Sequence, residues 1–277
     1  MKKETKKVYR RRNSKSKVWL SVLSLVGLLT LAGGSFYVLH MKSSFGLSIG
    51  EIYQNLANPY GRYIKITPGM RREEVADRFA KTLGWSDAER NKLLNTHTIA
   101  MNSSEGYYYP DTYIVPVGAK AADVSQKISE TFNKQVIQKH QELKQNIINT
   151  ETAIKIASII EREAGKNDKK LVSGVIWNRL FRGMSLDMDA TLQYAKGNEE
   201  LWWPRVKSED KYIDSPFNTY KNKGLPPSAI SNPGPASIDA ALNPANTKAI
   251  FYFHDDWGRI HTSETYEQHK QKIEMYL

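Results

Sequence analysis

The 277-residue chain contains no cysteine. Thiolate catalysis, iron–sulfur clusters, cysteine-type zinc sites and disulfides are therefore excluded, and any extracytoplasmic part must hold together by its own hydrophobic core. Its six histidines (His40, His97, His140, His254, His261, His269) form no H-x-x-x-H or H-E-x-x-H pair, so a zinc hydrolase has no support and no metal site is expected. There is no G-x-S-x-G elbow, no G-x-x-x-x-G-K-[ST] loop, no internal repeat and no low-complexity tract. Neither serine nor phosphate chemistry has a foothold, and no cofactor is implied.

Charge is present but unevenly placed. Residues 1–17 hold nine Lys and Arg against Glu4 alone and so carry +8 of the formal +11, leaving only +3 for the other 260 residues. That distribution argues against a nucleic-acid partner. The basic head instead abuts Val18–Leu39, an uncharged apolar run. As a helix its 22 residues span roughly 33 Å, enough for a hydrocarbon core of about 30 Å. A cleaved signal peptide is the alternative, and the Leu31-Ala32-Gly33-Gly34 stretch would suit it, but the run exceeds the usual ~7–15 residue core of such a peptide. The expectation is a single-pass anchor in the cell membrane with a cytoplasmic amino terminus and residues 40–277 outside, since Lys and Arg are retained on the cytoplasmic side. No cysteine follows the run, which excludes a lipoprotein anchor.

Beyond a linker at 40–59, Tyr60–Ile66 alternates as a strand. Pro68-Gly69 makes a turn, and Arg71–Leu83 repeats Val75, Phe79 and Leu83 as a helix. Ser86-Asp-Ala-Glu89 reads as a capping box opening a second helix. Pro110 keeps the aromatic stretch Glu105–Tyr113 out of any helix interior. A long helix is expected over about Ala121–Asn146, with Val124, Ile128, Phe132, Val136 and Leu143 buried. Ala153, Ile156, Ala157, Ile160 and Ala164 mark another, ended by Gly165 in the C′ role, and a third spans about Lys170–Phe181. Residues 197–235 are rich in Pro, Gly, Asn and Trp and read as ordered loop. Ala249–His254 and Arg259–Thr262 form a hairpin across Asp255–Gly258, and Glu264–Tyr276 closes the chain as a helix. The fold class is α+β.

The chemistry centres on Ala157-Ser-Ile-Ile-Glu-Arg-Glu163. At about 100° per residue, Glu161 and Glu163 fall about 80° to either side of the apolar stripe, on the border between core and solvent. A carboxyl there is partly desolvated, which raises its pKa and suits it to general-acid work. Residues two apart project in nearly opposite directions, so the two cannot flank one substrate bond. Both also fit as ordinary solvated acids beside Arg162. The run Asn218-Thr219-Tyr220, set between prolines and Gly224, offers groups suited to sugar hydroxyls, or to capping its own loop. Trp202 and Trp203 suit pyranose stacking or lid packing. His254 and His261 face each other across the hairpin as a structural pair or a substrate contact.

These residues occur in a recognisable order. Ala157–Glu163, Asn178-Arg-Leu180, Gly183-Met184, Leu186, Asp189-Ala-Thr191, Tyr194, Asn218-Thr-Tyr220, Gly224-Leu-Pro-Pro227, Ile230, Pro233-Gly234, Ser237, Ala240-Ala241, Pro244-Ala245, Phe251-Tyr-Phe253 and His261-Thr262 closely resemble the YceG-like endolytic murein transglycosylases. Glu105–Tyr113 matches that family's E-G-[aromatic]-x-x-P-D-T-[aromatic] stretch. The resemblance covers roughly residues 60–277. It implies a LysM-like module over 60–118, minimal in this shortened amino-terminal region, and a mixed α+β catalytic domain over 119–277. It further implies lytic cleavage inside nascent glycan strands to leave 1,6-anhydro-MurNAc ends. Glu161 takes the place of the family's catalytic glutamate, acting as acid and then base, with Glu163 as its supporting companion. Asp189, Thr191, Tyr194, Asn218, Thr219, Tyr220 and His261 become candidates for substrate contact. The expected partners are peptidoglycan strands, the membrane through 18–39, and peptidoglycan synthases of elongation or division. Two rivals stay open: a hydrolytic muramidase using Asp187 or Asp189 as second carboxylate, and a non-catalytic peptidoglycan-binding scaffold.

Overall fold

The computed structural model describes residues 60–101 and 105–277. The head, apolar run and linker expected at 1–17, 18–39 and 40–59 lie outside the described residues. Among the described residues no helix is long and apolar enough to cross a membrane.

Strand β1 (Gly61–Lys65) pairs antiparallel with β2 (Thr112–Pro116), Tyr63 opposite Ile114. Helices α1 (Arg72–Leu83) and α2 (Asp87–Met101) lie between them in sequence. Strand alternation sends Ile64 inward, and helical spacing sends Val75, Ala76 and Phe79 to meet it. Tyr113, Val115, Ala121, Val124 and Ile128 complete this first core. The expected capping box of α2 forms only in part. The Glu89 N–H donates to Ser86 Oγ at 3.4 Å. The Glu89 carboxylate accepts the Ala121 N–H at 2.8 Å, and so caps the next helix, α3 (Ala121–Phe132).

The long helix expected to Asn146 is broken. α3 gives way to one π-turn, Asn133–Ile137, and then to the short α4 (Gln141–Lys144). Val124, Ile128, Phe132 and Val136 repeat every four residues, which outruns a 3.6-residue turn by about 40° per step. A wider turn, closed by the Gln138 N–H on Asn133 O at 2.9 Å, restores the register, and all four side chains are buried. The same passage carries the chain from the first core to a second one, which Phe132, Val136 and Leu143 enter.

The second core packs α5 (Thr150–Glu163), α6 (Lys169–Phe181) and α8 (Pro235–Leu242). Asn149 caps α5 through the Glu151 N–H at 2.8 Å. Ile156, Ala157 and Ile160 are fully buried, and the Trp177 indole N–H reaches Ala241 O at 2.9 Å. The end of α5 differs from expectation. Ala164 turns extended (φ −86°, ψ 145°), and Gly165 is not left-handed. The absence of a side chain at Gly165 serves close packing instead, since a Cβ there would stand 3.0 Å from Asp168 Oδ2.

α7 (Asp189–Lys196) precedes the loop, which holds one 3₁₀ turn, Ser208–Tyr212. Strands β3 (Phe251–His254) and β4 (Ile260–Ser263) form the expected hairpin, Phe253 opposite His261. α9 (Tyr266–Tyr276) follows, with Thr265 Oγ1 accepting the Gln268 N–H at 3.3 Å. The architecture is mixed α+β, with two small antiparallel sheets among the described residues.

The two cores are stitched together at Asn232, a buried residue. Its N–H and its Nδ2 both donate to Met70 O (2.8 and 2.9 Å), its carbonyl accepts the Gly69 N–H (2.9 Å), and its Oδ1 accepts the Tyr108 N–H (2.9 Å).

Candidate active site

The last turn of α5 presents Glu161, Arg162 and Glu163. Their 100° spacing sends the two carboxylates to opposite flanks, and each meets the amino terminus of a different helix. Glu161 Oε2 accepts the Gly234 N–H at 2.8 Å and the Ser237 hydroxyl at 2.7 Å. Gly234 is the N-cap of α8 and Ser237 its third residue, so the open start of that helix supplies both donors. Oε1 lies 3.2 Å from Lys169 Nζ, and that ammonium also donates to Ser237 Oγ at 2.8 Å. The Glu161 side chain is 14% exposed, sheltered yet reachable.

Two glycines make this cradle. A Cβ on Gly234 would stand 3.3 Å from Glu161 Oε2 and 3.0 Å from Pro68 Cγ. Gly69 (φ +84°) brings the turn after β1 so close that a Cβ would lie 3.2 Å from Arg162 Nη1 and 4.0 Å from Glu161 Cγ. The turn between β1 and α1 thus stands in the wall of the Glu161 site.

Glu163 accepts the Ala190 N–H of α7 at 2.7 Å and the Tyr252 hydroxyl at 2.9 Å. Burial lifts its pKa above the ordinary carboxylate value, while these two donors pull the other way. Beside it the Tyr220 hydroxyl donates to Asp189 at 2.6 Å, and His254 Nε2 pairs with Asp168 Oδ2 at 2.8 Å. Asp187 (φ +54°) accepts from Arg179 at 2.9 Å.

The candidates for substrate contact divide. Asp189 is exposed, with Tyr220 bonded to it. Thr191 and Thr219 are buried with their hydroxyls 2.9 Å apart. Thr191 donates to Met188 O, and Thr219 accepts the Met188 N–H. Asn218 is fully buried. Its Nδ2 donates to Lys211 O and Ile213 O, and its Oδ1 accepts the Tyr220 and Lys221 N–H groups, so its amide holds the loop together. Tyr194 donates to Glu105 at 3.3 Å beneath the Arg71 guanidinium. His261 pairs with Asp255 at 2.9 Å and stacks on Phe253 and Tyr276, so it does not join His254. Trp202 and Trp203 each carry an arginine on one face, Arg71 at 4.7 Å and Arg162 at 3.8 Å.

Sequence reasoning did not assign Lys169, Gly234 or Ser237 to the site. Gly234-Pro-Ala-Ser237 has the spacing of a helix start with a hydroxyl three residues in, a readable signal for an anion cradle. Lys169 has none, because only the packing of α6 on α5 brings it to Glu161. Glu105 was also missed as a buried acid. It is 1% exposed and accepts the Arg72 N–H at 3.1 Å.

A sequence profile of the YceG-like family matches residues 31–275. The chain is 34% identical to a Bacillus subtilis (strain 168) protein named endolytic murein transglycosylase, over 84% of this chain and 71% of that one. A protein of the same name from Streptococcus pneumoniae serotype 2 (strain D39) is 27% identical over 61% of this chain, which spans only 31% of that longer relative. The crystal structure of a YceG-like protein from Listeria monocytogenes superposes with a TM-score of 0.67 at 27% identity, covering 76% of this chain and 75% of that one.

Proposed function

The chain belongs to the YceG-like family, and from that membership we propose that it is an endolytic peptidoglycan transglycosylase with Glu161 as its single acid and base. The observation that carries the assignment is the cradle. One sheltered carboxylate is fixed by Lys169, Ser237 and the start of α8, while Glu163 is engaged elsewhere by Ala190 and Tyr252. A lytic transglycosylase needs no activated water and no carboxylate nucleophile, so a lone acid suffices.

In this reading protonated Glu161 gives its proton to the oxygen bridging MurNAc and GlcNAc as the C1–O bond breaks. The resulting carboxylate takes the proton of the MurNAc C6 hydroxyl. That oxygen bonds to C1 of the same sugar, leaving a 1,6-anhydro end and a free GlcNAc hydroxyl. The substrate's N-acetyl carbonyl can assist at C1. The α8 cradle fixes Oε2 and leaves Oε1, held only by Lys169 among the described residues, as the edge that exchanges protons. Both halves of the cycle use one group, so Glu161→Gln should lower the release of 1,6-anhydro-muropeptides from purified sacculi by several decades, beyond the ~10²–10⁴ of one proton transfer. Near-normal turnover in that variant, with folding verified by circular dichroism, overturns the assignment. Reducing ends from the parent enzyme would transfer it to the hydrolases.

The same reading takes the βααβ portion within 60–118 as the LysM-like module and Val18–Leu39 as a membrane anchor that holds the enzyme outside the cell beside the synthases of elongation or division. The uncharged run and the +8 head support the anchor. Protease added to spheroplasts should remove the chain beyond about residue 40, and full protection of that part refutes the topology.

A further inference from the structure

Between the two docked glutamates lies Arg162, whose side chain among the described residues makes no hydrogen bond and no ion pair. Its Nε is shielded from solvent and has no acceptor. Its guanidinium carbon stands 3.8 Å from the centroid of the Trp203 ring, and a Cβ on Gly69 would lie 3.2 Å from its Nη1. Glu74, Glu161 and Glu163 are near enough to act on it electrostatically, yet each is engaged with other donors: Glu74 with the Arg71 N–H, Glu161 with Lys169 and α8, Glu163 with Ala190 and Tyr252. Burial lowers its pKa from the ordinary arginine value despite these acids.

Arg162 is half-buried, and a cation with no paired anion and one shielded, unmatched N–H calls for an explanation. Here the ring of Trp203 and the Gly69 turn flank the guanidinium, and a planar fork of donors matches a carboxylate in two-point contact. The fork sits one residue from the reacting carboxylate and against the same turn. The sugars of a glycan strand offer hydroxyls and N-acetyl groups. Its anionic groups are carboxylates hung from the lactyl ether of MurNAc, either on the peptide stem or on the lactyl group itself where the stem is missing. We propose that Arg162 is a substrate-binding residue for a carboxylate of the peptide stem on the MurNAc beside the scissile bond. This rests on the reading of Glu161 given above.

The test uses the full chain in detergent on three substrates: stem-bearing strands, the same strands with stem carboxylates converted to amides, and strands stripped of stems by an amidase. On stem-bearing strands Arg162→Gln should raise KM about ten- to hundredfold, the worth of a charge-assisted hydrogen bond, with kcat falling less than KM rises. Arg162→Lys should recover part of the loss. On amidated strands the parent should already show the raised KM, and Arg162→Gln should add nothing. An effect of Arg162→Gln confined to stripped strands would move the contact to the lactyl carboxylate and overturn the stem, and an equal rise in KM on all three substrates would show that no carboxylate is read. Unchanged KM in Arg162→Gln, or equal kcat losses in the Gln and Lys variants on all three substrates, would overturn the subsite and leave Arg162 as packing for Trp203. A parent enzyme that makes no 1,6-anhydro ends would remove the underlying reading, whereas an active parent with an indifferent Arg162→Gln removes this inference alone.

Discussion

Replacing Glu105 by Gln should change how the stability of the fold depends on pH. Glu105 is 1% exposed, and burial, helped by the nearby charge of Glu73, pushes its pKa up to about 8 from an ordinary value of 4.5. The Arg72 N–H (3.1 and 3.3 Å), the Tyr194 hydroxyl (3.3 Å) and Asn232 Nδ2 (3.4 Å) favour the carboxylate but do not outweigh that burial. Between those two pKa values the folded chain keeps a proton that the unfolded chain has released. Stability from this group is therefore complete below pH 4.5, declines as pH rises, and levels off above about 8. The slope for one proton is at most about 1.4 kcal/mol per pH unit, or about 2–3 kcal/mol between pH 5.5 and 7.5. Gln is neutral throughout. It can turn its carbonyl to Arg72 and its amide to Tyr194, so Glu105→Gln should gain on the parent by that amount over the interval, whatever its offset at pH 5.5. Urea unfolding of the full chain in detergent, followed by tryptophan fluorescence at three pH values, measures the difference. A constant difference across pH would refute the reasoning and mean that the donors, not burial, govern Glu105.

Asn218→Ala removes four hydrogen bonds from a buried loop and leaves their backbone partners unmatched, so it should destabilise by at least about 1–3 kcal/mol in the same unfolding assay, with activity per folded molecule retained. Lys169→Met frees Glu161 Oε1 and loosens Ser237, and should lower turnover on sacculi about tenfold or more while shifting Tm only slightly. Glu163→Gln should retain far more anhydro-product release than Glu161→Gln, its principal effect being a lower Tm from the weakened Ala190 and Tyr252 contacts. Gly69→Ala forces φ +84° on a residue with a Cβ and presses it on Arg162. It should lose both stability and turnover, as thermal melts and the sacculus assay would show.

Much of the fold was legible because its signals are local. The alternation of β1, the apolar stripes of α1, α5 and α6, and the hairpin turn each lie within a window where periodicity dominates. The break after Phe132 was not legible as such, although the uninterrupted spacing of four from Val124 to Val136 held its cause. α7 and α8 are eight residues each, too short for a periodic stripe, and both owe their place to tertiary packing. At the site, helix geometry correctly sent Glu161 and Glu163 to opposite flanks, but it could not say what each would meet. Asn218, Thr191 and Thr219 have the chemistry of sugar-binding groups, yet the same chemistry satisfies a proline-rich loop and the start of α7 from within, and composition does not tell which way a side chain turns.

The Gly69 turn has a consequence for how this protein can vary. A substrate-holding appendage on a tether can be exchanged between enzymes like a cassette. Here the portion built on β1 and β2 supplies part of the wall beside Glu161 and Arg162, and four bonds at Asn232 hold it in register. A chimaera that grafts a foreign module ahead of residue 119 would have to restore Pro68-Gly69 at the same height to a fraction of an ångström. The two halves are therefore constrained to diverge together, and a small molecule that wedges under this turn would press on Glu161 from the side of the first core.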